Sequence, residues 1–268
     1  MADQVSTLGE LRQRYVADGR PMPESVRRLL ADDPRAGAAA ILRSVARRKK
    51  ANRAEGQRLR KMLRYERALW DDGVLHIAGI DEAGMSPLAG PVTAAAVILP
   101  VGCRIRYVDD SKKLDAKSRD ELAIEIKERA VSWAIGETTP AEVDELNIYY
   151  AGLLAMRRAV MALKPLPAAL LVDARTVPDV PWPQETLIRG DSRSLSIAAA
   201  SILAKTTRDR KMVAYDRQYP GYGLAQHKGY PVAAHKEALL RLGVTPIHRR
   251  SFEAVRLALN IDRTREEV

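Results

Sequence analysis

The chain has 268 residues, 46% of them apolar, which is enough for one large globular domain or for a domain with an appendage. A single cysteine, Cys103, excludes an internal disulfide, and no run approaches the roughly 18 apolar residues of a membrane-spanning helix. The amino terminus carries acidic residues and lacks the apolar block of a signal peptide. We therefore expect a cytoplasmic protein with no membrane association.

The positive charge is concentrated in the first quarter of the chain. The net charge is +10, and residues 1–70 hold 17 Lys and Arg against 8 Asp and Glu. Such asymmetry is typical of a protein that binds a polyanion, most simply a nucleic acid. A solubilising basic helix that binds nothing specific is the alternative.

The basic section has the composition of helices. Asp32-Asp33-Pro34 is a natural helix entry, and residues 38–68 contain no proline and only one glycine. Asp71-Asp72-Gly73 is a turn signal, which predicts a helical extension over 1–72 and a second domain over 73–268. The apolar residues of the extension are too sparse to predict a core of its own. They are Ile41, Leu42, Val45, Leu59, Leu63 and Leu69.

From residue 73 onwards, strands and helices alternate. Capping signals at Asp115 and at Thr139-Pro140-Ala141-Glu142 predict two helix starts, and Ser194–Asp216 predicts a long third helix of closely packed small residues. This alternation is typical of an α/β domain in which helices cover a sheet. The predicted strands are Val74–Ile80, Val92–Leu99, Val131–Glu137, Ala168–Asp173 and Glu185–Ile188.

Acidic residues stand at the ends of three predicted strands. Asp81 and Glu82 follow the first strand. Asp173 ends the fourth strand, and Asp191 follows the fifth. Ligands of open α/β sheets bind at the carboxyl ends of strands, and grouped carboxylates suit a hard cation such as Mg²⁺ or Mn²⁺. The pattern favours a metal site, although each acid also fits a turn and Asp191 also fits a helix cap.

Three further segments have the composition of ligand contacts. Ala83–Pro91 holds two glycines and two prolines, so its backbone N–H groups can bind a phosphate or a sugar hydroxyl. Asp109–Leu114 sets two lysines before a helix, and Gly221–Tyr230 mixes aromatic residues, glycines and a cation. A strand connection, a solvated loop and a packed turn are the respective alternatives. The histidines show no close pairing, which argues against zinc. They are His76, His227, His235 and His248.

Taken together, these segments resemble bacterial ribonuclease HII in its long form. The opening motif runs from Ala78 to Gly84 and continues through Pro87–Val92, and the resemblance covers about residues 74–255. Several long motifs in the same order make it very specific, and Asp32–Arg35 is similar to the N-terminal extension of longer members. The later motifs are Asp110–Leu114, Leu146–Ile148, Ala155–Ala159, Gly190–Ser192, Ser196–Lys205, Thr207–Arg210, Tyr219–Gly223, His227–Tyr230 and Pro246–Phe252.

The resemblance implies a ribonuclease H-like fold, a five-stranded mixed sheet flanked by helices, with a C-terminal helical region. It implies a monomeric endonuclease that hydrolyses the RNA strand of RNA–DNA hybrids and incises at ribonucleotides embedded in duplex DNA. The products would carry 5′-phosphate and 3′-hydroxyl ends. The implied cofactors are Mn²⁺ or Mg²⁺, two ions in the working complex. The family's catalytic and metal-binding acids fall on Asp81, Glu82, Asp173 and Asp191.

The same resemblance implies the substrate-binding residues. The tyrosine that stacks on the ribose maps to Tyr230, and the loop that senses the 2′-hydroxyl maps to Gly84-Met85-Ser86. The family usually has Gly-Arg-Gly in this loop, so a fixed cation is missing at Met85, and Ser86 restricts positive φ. The properties that this change would affect are the preference for a DNA–RNA junction or the efficiency on a single ribonucleotide. Lys112, Lys113 and Asn147 complete the predicted set.

Two other functions fit the sequence. Another two-metal nuclease of similar fold, such as a junction resolvase, would cut all-DNA substrates. A non-catalytic nucleic-acid-binding protein would account for the altered loop. Clustered carboxylates facing phosphate argue against the second function, because they would only weaken binding.

Overall fold

A computed structural model describes residues 7–266, with side chains described up to residue 260. The chain divides into two compact units, the first ending at Arg60 and the second beginning at Lys61. In the described part of the chain, no helix combines the length and apolar content needed to cross a membrane. The helices of the first unit are α1 (Leu8–Arg12), a π-helical turn (Gln13–Ala17), α2 (Glu24–Asp32) and α3 (Ala36–Met62), whose last residues enter the second unit.

The first unit has a small apolar core, so the expectation that its apolar residues are too sparse was wrong. Leu11 and Tyr15 pack with Leu30 and with Ile41 of α3. Arg48 of α3 also links this helix to the π-helical turn, because its Nη1 donates a hydrogen bond to the carbonyl oxygen of Tyr15 at 2.7 Å. The expectation counted the long helix and left out the shorter helices that fold against it.

The second unit is a five-stranded mixed sheet covered by helices, as the resemblance implied. The strand order is β3-β2-β1-β4-β5; β1 pairs antiparallel with β2 and parallel with β4. The strands are β1 (Ile77–Ala83), β2 (Val92–Ile98), β3 (Ser132–Thr138), β4 (Ala169–Asp173) and β5 (Gln184–Leu187). The helices are α4 (Arg64–Asp71), α5 (Ala116–Arg129), α6 (Pro140–Met161), α7 (Leu195–Gln218), α8 (Leu224–His227), α9 (Ala233–Leu242) and α10 (Glu253–Glu266).

Glycines in the strands let α6 and α7 pack directly on the sheet backbone. A Cβ atom at Gly79 of β1 would lie 2.1 Å from the carbonyl carbon of Ser196 in α7. A Cβ atom at Gly136 of β3 would lie 2.1 Å from the carbonyl oxygen of Ala155 in α6. Both distances are far below van der Waals contact, so only glycine fits. The small residues of α7 are buried, which confirms its prediction as a closely packed core helix.

The first strand differs from its prediction in a way that affects the site. It begins at Ile77 rather than at Val74, and it continues through Ala83. Asp81 and Glu82 therefore lie within β1, where the ladder to β2 fixes their backbone, and not in a loop after it. The apolar run ended too early to predict this, because two charged residues interrupt the usual strand pattern.

Helix α4 is part of the core of the second unit. Leu69 and Trp70 pack against the cluster that contains Ile77 and Leu187. The predicted boundary lies after residue 72, whereas the observed division lies after residue 60. The difference is that α4 belongs to the second unit and not to the extension. Removing residues 61–72 would expose apolar surface of the second unit.

Candidate active site

The carboxyl ends of β1, β4 and β5 lie at one edge of the sheet, because these strands run parallel. Asp173 is the last residue of β4, and Asp191 lies in the 3₁₀ turn Gly190–Ser192 that follows β5. Asp81 is close enough to Asp173 for their charges to interact, as is Asp173 to Asp191. The structure therefore brings the predicted acids together at this edge.

Asp81 is the most deeply buried of these acids, at 6% exposure. Burial, followed by repulsion from Glu82 and Asp173, raises its pKa well above the usual value. Burial also raises the pKa of Glu82, while the guanidinium of Arg175, whose Nη1 lies 3.6 Å from Glu82 Oε1, lowers it. The other oxygen of Glu82, Oε2, is buried and has no hydrogen-bond partner among the described residues.

Asp173 and Asp191 are joined through the backbone. Asp173 Oδ1 accepts a hydrogen bond from the N–H of Gly190 at 2.6 Å, which ties the end of β4 to the turn that carries Asp191. Burial raises the pKa of both carboxyls, and Asp110 adds to the negative charge around them. The cap of α7 is Ser194, whose Oγ accepts from the N–H of Ile197, so Asp191 is not the cap.

The two adjacent lysines differ in their surroundings. Lys112 is close enough to lower the pKa of Glu82, Asp173 and Asp191. Lys113 is paired with Asp109 instead, with 3.1 Å between Nζ and Oδ1. Lys112 therefore contributes positive potential at the acids, whereas Lys113 is engaged with Asp109.

Two buried arginines hold the loop between β1 and β2. Arg249 is fully buried and Arg208 is 1% exposed, and both donate to backbone carbonyl oxygens. Burial lowers the pKa of Arg249 to about 9. The carbonyls belong to Gly84 (2.6 Å), Pro87 (2.8 Å) and Gly90 (3.0 Å) for Arg249, and to Ala89 (3.0 Å) and Pro91 (3.0 Å) for Arg208.

The altered loop residues are not strained. Gly84 has a φ of +96°, and a Cβ atom there would lie 2.1 Å from Arg208 Nε, so glycine is required. Neither Met85 nor Ser86 adopts a positive φ, so the expected restriction at Ser86 does not arise. The Met85 side chain packs inward on the core, with Sδ at 3.8 Å from Nη1 of Arg175, whereas Ser86 is exposed.

The remaining predicted residues, Asn147 and Tyr230, are accessible. Asn147 breaks α6 with a φ of 67°, and its Oδ1 accepts from the N–H of Tyr149 at 2.9 Å. The side-chain amide nitrogen of Asn147 remains as a donor for a ligand. The ring of Tyr230 lies 5.9 Å from Nζ of Lys205, and the residue is 37% exposed.

Three of the four histidines are closely grouped, so the expectation of no close pairing was wrong for these three. The rings of His227 and His235 stack at 4.6 Å, and those of His235 and His248 lie 5.3 Å apart. His248 Nδ1 accepts from the N–H of Thr245, so its Nε2–H donates to His235 Nε2 at 3.1 Å. His235 Nδ1–H then donates to the carbonyl oxygen of Tyr230 at 3.0 Å. Burial lowers the pKa of both His235 and His248, so this chain of hydrogen bonds holds the backbone of Tyr230 through neutral imidazoles.

This arrangement predicts a loss of stability in acid. Burial lowers the pKa of His248 to about 4, against about 6.5 in the unfolded chain. Its contribution is complete above pH 6.5 and is lost as the pH falls to 4, because only the unfolded chain gains the proton. We expect the difference in free energy of unfolding between wild type and His248→Gln to shrink by about 3 kcal/mol across this range. Urea unfolding at several pH values measures it; a constant difference would contradict the expectation.

The sequence prediction missed several residues of this region. Arg175 stands two residues after Asp173, so its position beside an acid at a strand end was a usable signal. Arg208 and Arg249 lie inside recognised motifs, but no sequence pattern shows that an arginine is buried. The charge of Asp110 acts on Asp173 only because of the way in which the Asp109–Leu114 loop folds.

The carboxylates fit a divalent cation by their chemistry. No three His, Cys, Asp or Glu side chains within the described chain are already placed to hold a metal ion together. Two carboxylates have internal partners instead, since Asp81 accepts from the N–H of Glu82 and Asp173 from that of Gly190. Glu82 Oε2 is buried without a hydrogen-bond partner among the described residues, and burial with repulsion from Glu82 and Asp173 disfavours the ionised form of Asp81. A hard cation would bind such an oxygen and favour the ionised form.

The fold and the acidic sheet edge define a ribonuclease H-like nuclease. The ribonuclease H2 of Pyrococcus horikoshii superposes with a TM-score of 0.60 at 25% identity, covering 72% of this chain and all of that one. Bst-RNase HIII in complex with Mn²⁺ shares the fold, with a TM-score of 0.56, 22% identity and 71% of each chain covered.

Sequence comparison identifies the family. The family model "Ribonuclease HII" matches residues 78–255, and "Ribonuclease HII N-terminal domain" matches residues 13–70. The ribonuclease HII of Myxococcus xanthus is 59% identical over 255 residues, covering 95% of this chain and 87% of that protein. The chain belongs to the ribonuclease HII family, and it is an endoribonuclease that acts on RNA–DNA hybrids.

Proposed function

We propose that this ribonuclease also incises duplex DNA at single embedded ribonucleotides, leaving 5′-phosphate and 3′-hydroxyl ends. The observation that carries the proposal is the acidic sheet edge with a rigid loop beside it. The loop is held by Arg249 and Arg208 through its carbonyl groups, and Gly84 leaves room for the Arg208 side chain, so the backbone keeps one shape beside the acids. A fixed backbone can select for one 2′-hydroxyl, whereas flexible side chains would tolerate its absence.

Asp81, Glu82, Asp173 and Asp191 are the residues that would hold two divalent ions. When bound, these ions activate the attacking water and stabilise the leaving 3′-oxygen. Asp81 is the most buried of the four and interacts with both Glu82 and Asp173, so it would be the ligand most shielded from solvent. Arg175 stands beside Glu82 and limits the net negative charge that the phosphate meets.

The other residues orient the substrate. Tyr230 offers an exposed ring for stacking on the ribose, and His235 fixes its backbone. Lys112 places a cation near the acids, where it would attract a phosphate. Asn147 would donate from its amide nitrogen. We infer that recognition of the 2′-hydroxyl falls to the loop backbone, because Met85 is turned inward.

The proposal is tested by comparing three substrates. They are a DNA duplex with one ribonucleotide, a continuous RNA–DNA hybrid and an all-DNA duplex, each with Mg²⁺ and with Mn²⁺. We expect cleavage of the first two, with 5′-phosphate ends, and none of the third. Cleavage of the all-DNA duplex would favour a junction-type nuclease, and failure on the single ribonucleotide would restrict the enzyme to continuous hybrids.

Helix α3 is the second part of the proposal, as a surface that adds affinity for the duplex. It holds nine Lys and Arg against one acid, Glu55, which is paired with Arg58. Arg43, Arg47 and Lys50 follow one another at helical spacing and are exposed. Phosphates are the natural partners of such a row.

Replacing Arg43, Arg47 and Lys50 by glutamine is expected to raise KM for a hybrid and to reduce the salt dependence of binding by about two to three counterions. The same number of charges removed from Arg12, Arg14 and Arg28 of the same unit, outside α3, serves as the control. Equal effects of both triple variants would show that only net charge matters. No effect of either would leave α3 a structural helix.

A further inference from the structure

A groove between α5 and α7 lies outside the acidic edge. It has a volume of about 350 Å³ and extends to the turn at Lys228. Four basic side chains line it, namely those of Arg119, Arg210, Arg217 and Lys228, and two acidic ones, those of Asp120 and Asp209. The lining therefore carries an excess of positive charge.

Both acidic side chains of the groove already form ion pairs with basic side chains. Asp120 Oδ1 pairs with Arg210 Nη2 at 2.7 Å. Asp209 is shared, since it lies 2.8 Å from Lys205 Nζ and 3.8 Å from Arg119 Nη2. Within the described chain, neither Arg217 nor Lys228 has an acidic partner within ion-pair distance, so the groove keeps unneutralised charge.

Thr206 gives an independent indication of a ligand. The residue lines the groove and is 6% exposed, and its Oγ1 has no hydrogen-bond partner among the described residues. A buried hydroxyl without a partner is costly and uncommon in folded proteins. An oxygen of a bound anion would accept the hydrogen bond that the hydroxyl can donate.

The groove adjoins the proposed substrate contacts on both sides. Arg119 Nη1 donates to the carbonyl oxygens of Ser111, at 3.1 Å, and Leu114, so one groove residue fixes the loop that carries Lys112. On the other side, Lys205 pairs with Asp209 and also lies over the ring of Tyr230. A strand bound at Lys112 and Tyr230 would pass this groove.

We propose that the groove binds backbone phosphates of the nucleic-acid duplex at a distance from the cleaved bond. Thr206 would donate to an oxygen of one phosphate, and Arg217, which lies eleven residues and about 16 Å further along α7, would neutralise another phosphate of the same strand. The contact carries no sequence information; it fixes the register of the duplex. This proposal rests on the proposed function for the path of the duplex, and its test separates the two.

The test measures binding of a short RNA–DNA hybrid in the full-length Asp81→Asn background at several salt concentrations. Thr206→Val should weaken binding several-fold without lowering the thermal midpoint, because the hydroxyl bonds to nothing in the protein, and Thr206→Ser should restore it. Arg217→Gln should weaken binding and reduce the salt slope by about one counterion. Lys117→Gln, an exposed change on α5 outside the groove, should bind as the background does.

The outcomes distinguish the proposals. Suppose that the wild type binds and cleaves the hybrid, and that Thr206→Val and Arg217→Gln both keep the affinity and the salt dependence of the background. That result would overturn the proposal for the groove and leave the proposed function intact. A lower thermal midpoint for Thr206→Val with unchanged affinity would assign the hydroxyl to folding and also overturn it. Failure of the wild type to bind the hybrid would overturn the proposed function as well.

Discussion

Replacing Asp81 by asparagine is expected to reduce cleavage of an RNA–DNA hybrid by about three orders of magnitude or more, because several kcal/mol of charge stabilisation are lost. Binding of the hybrid should persist, since one negative charge facing phosphate is removed. The thermal midpoint should not fall, because Asp81 is buried beside Glu82 and Asp173 and its charge is repelled by both. Cleavage, binding and thermal unfolding are measured on the same preparation.

Asp115 provides the matched control. It is an exposed acid that caps α5, where its Oδ1 accepts from the N–H of Ser118 at 2.8 Å. Asparagine caps helices as well as aspartate does, so Asp115→Asn should keep wild-type cleavage and stability. Retention of wild-type cleavage in Asp81→Asn would contradict the assignment of this acid to the reaction.

Replacing Arg249 by methionine is expected to lower the free energy of unfolding by about 3–5 kcal/mol. The change fills part of the volume but leaves the carbonyl groups of Gly84, Pro87 and Gly90 buried without a donor, at about 1–3 kcal/mol each before relaxation. The loop beside the acids should then lose its fixed shape, and kcat/KM for a single ribonucleotide should fall more than that for a continuous hybrid.

Arg250, the next residue, is the control for this change, because its side chain is exposed. Arg250→Met should alter stability by no more than about 0.5 kcal/mol. Arg249→Lys keeps a cation but has fewer hydrogen-bond donors, so its free energy of unfolding should lie between those of the wild type and Arg249→Met. A single buried hydrogen bond contributes about 1 kcal/mol. If the free energy of unfolding of Arg249→Met stayed within about 1 kcal/mol of the wild-type value, the loop would not depend on this guanidinium.

Local signals in the sequence were reliable because their physics is local. The capping box at Thr139 forms as predicted, with Glu142 N–H bonded to Thr139 Oγ1 at 3.2 Å and Thr139 N–H to Glu142 Oε2 at 2.8 Å. The placement of Asp173 and Asp191 near Asp81 followed from one rule, that parallel strands end at the same edge. The predicted β1 had the observed length of seven residues but was placed three residues too early in the chain.

Long-range burial could not be predicted. His235 lies in α9 and His248 is 13 positions further along the chain, and only the folded chain brings their Nε2 atoms to 3.1 Å. A hydropathy pattern predicts an exposed side chain at any arginine, and so it could not predict that Arg208 is buried. The inward turn of Met85 likewise depends on Arg175 and on the core under the loop.

The most direct measurement of the central claim is a Mn²⁺ titration followed by electron paramagnetic resonance. We predict that wild type and Asp115→Asn bind Mn²⁺ with the same affinity and that Asp81→Asn binds about tenfold more weakly or worse, since even residues outside the ligand set change metal affinity by that factor. Equal Mn²⁺ affinity in Asp81→Asn and wild type would contradict a metal site built on these acids.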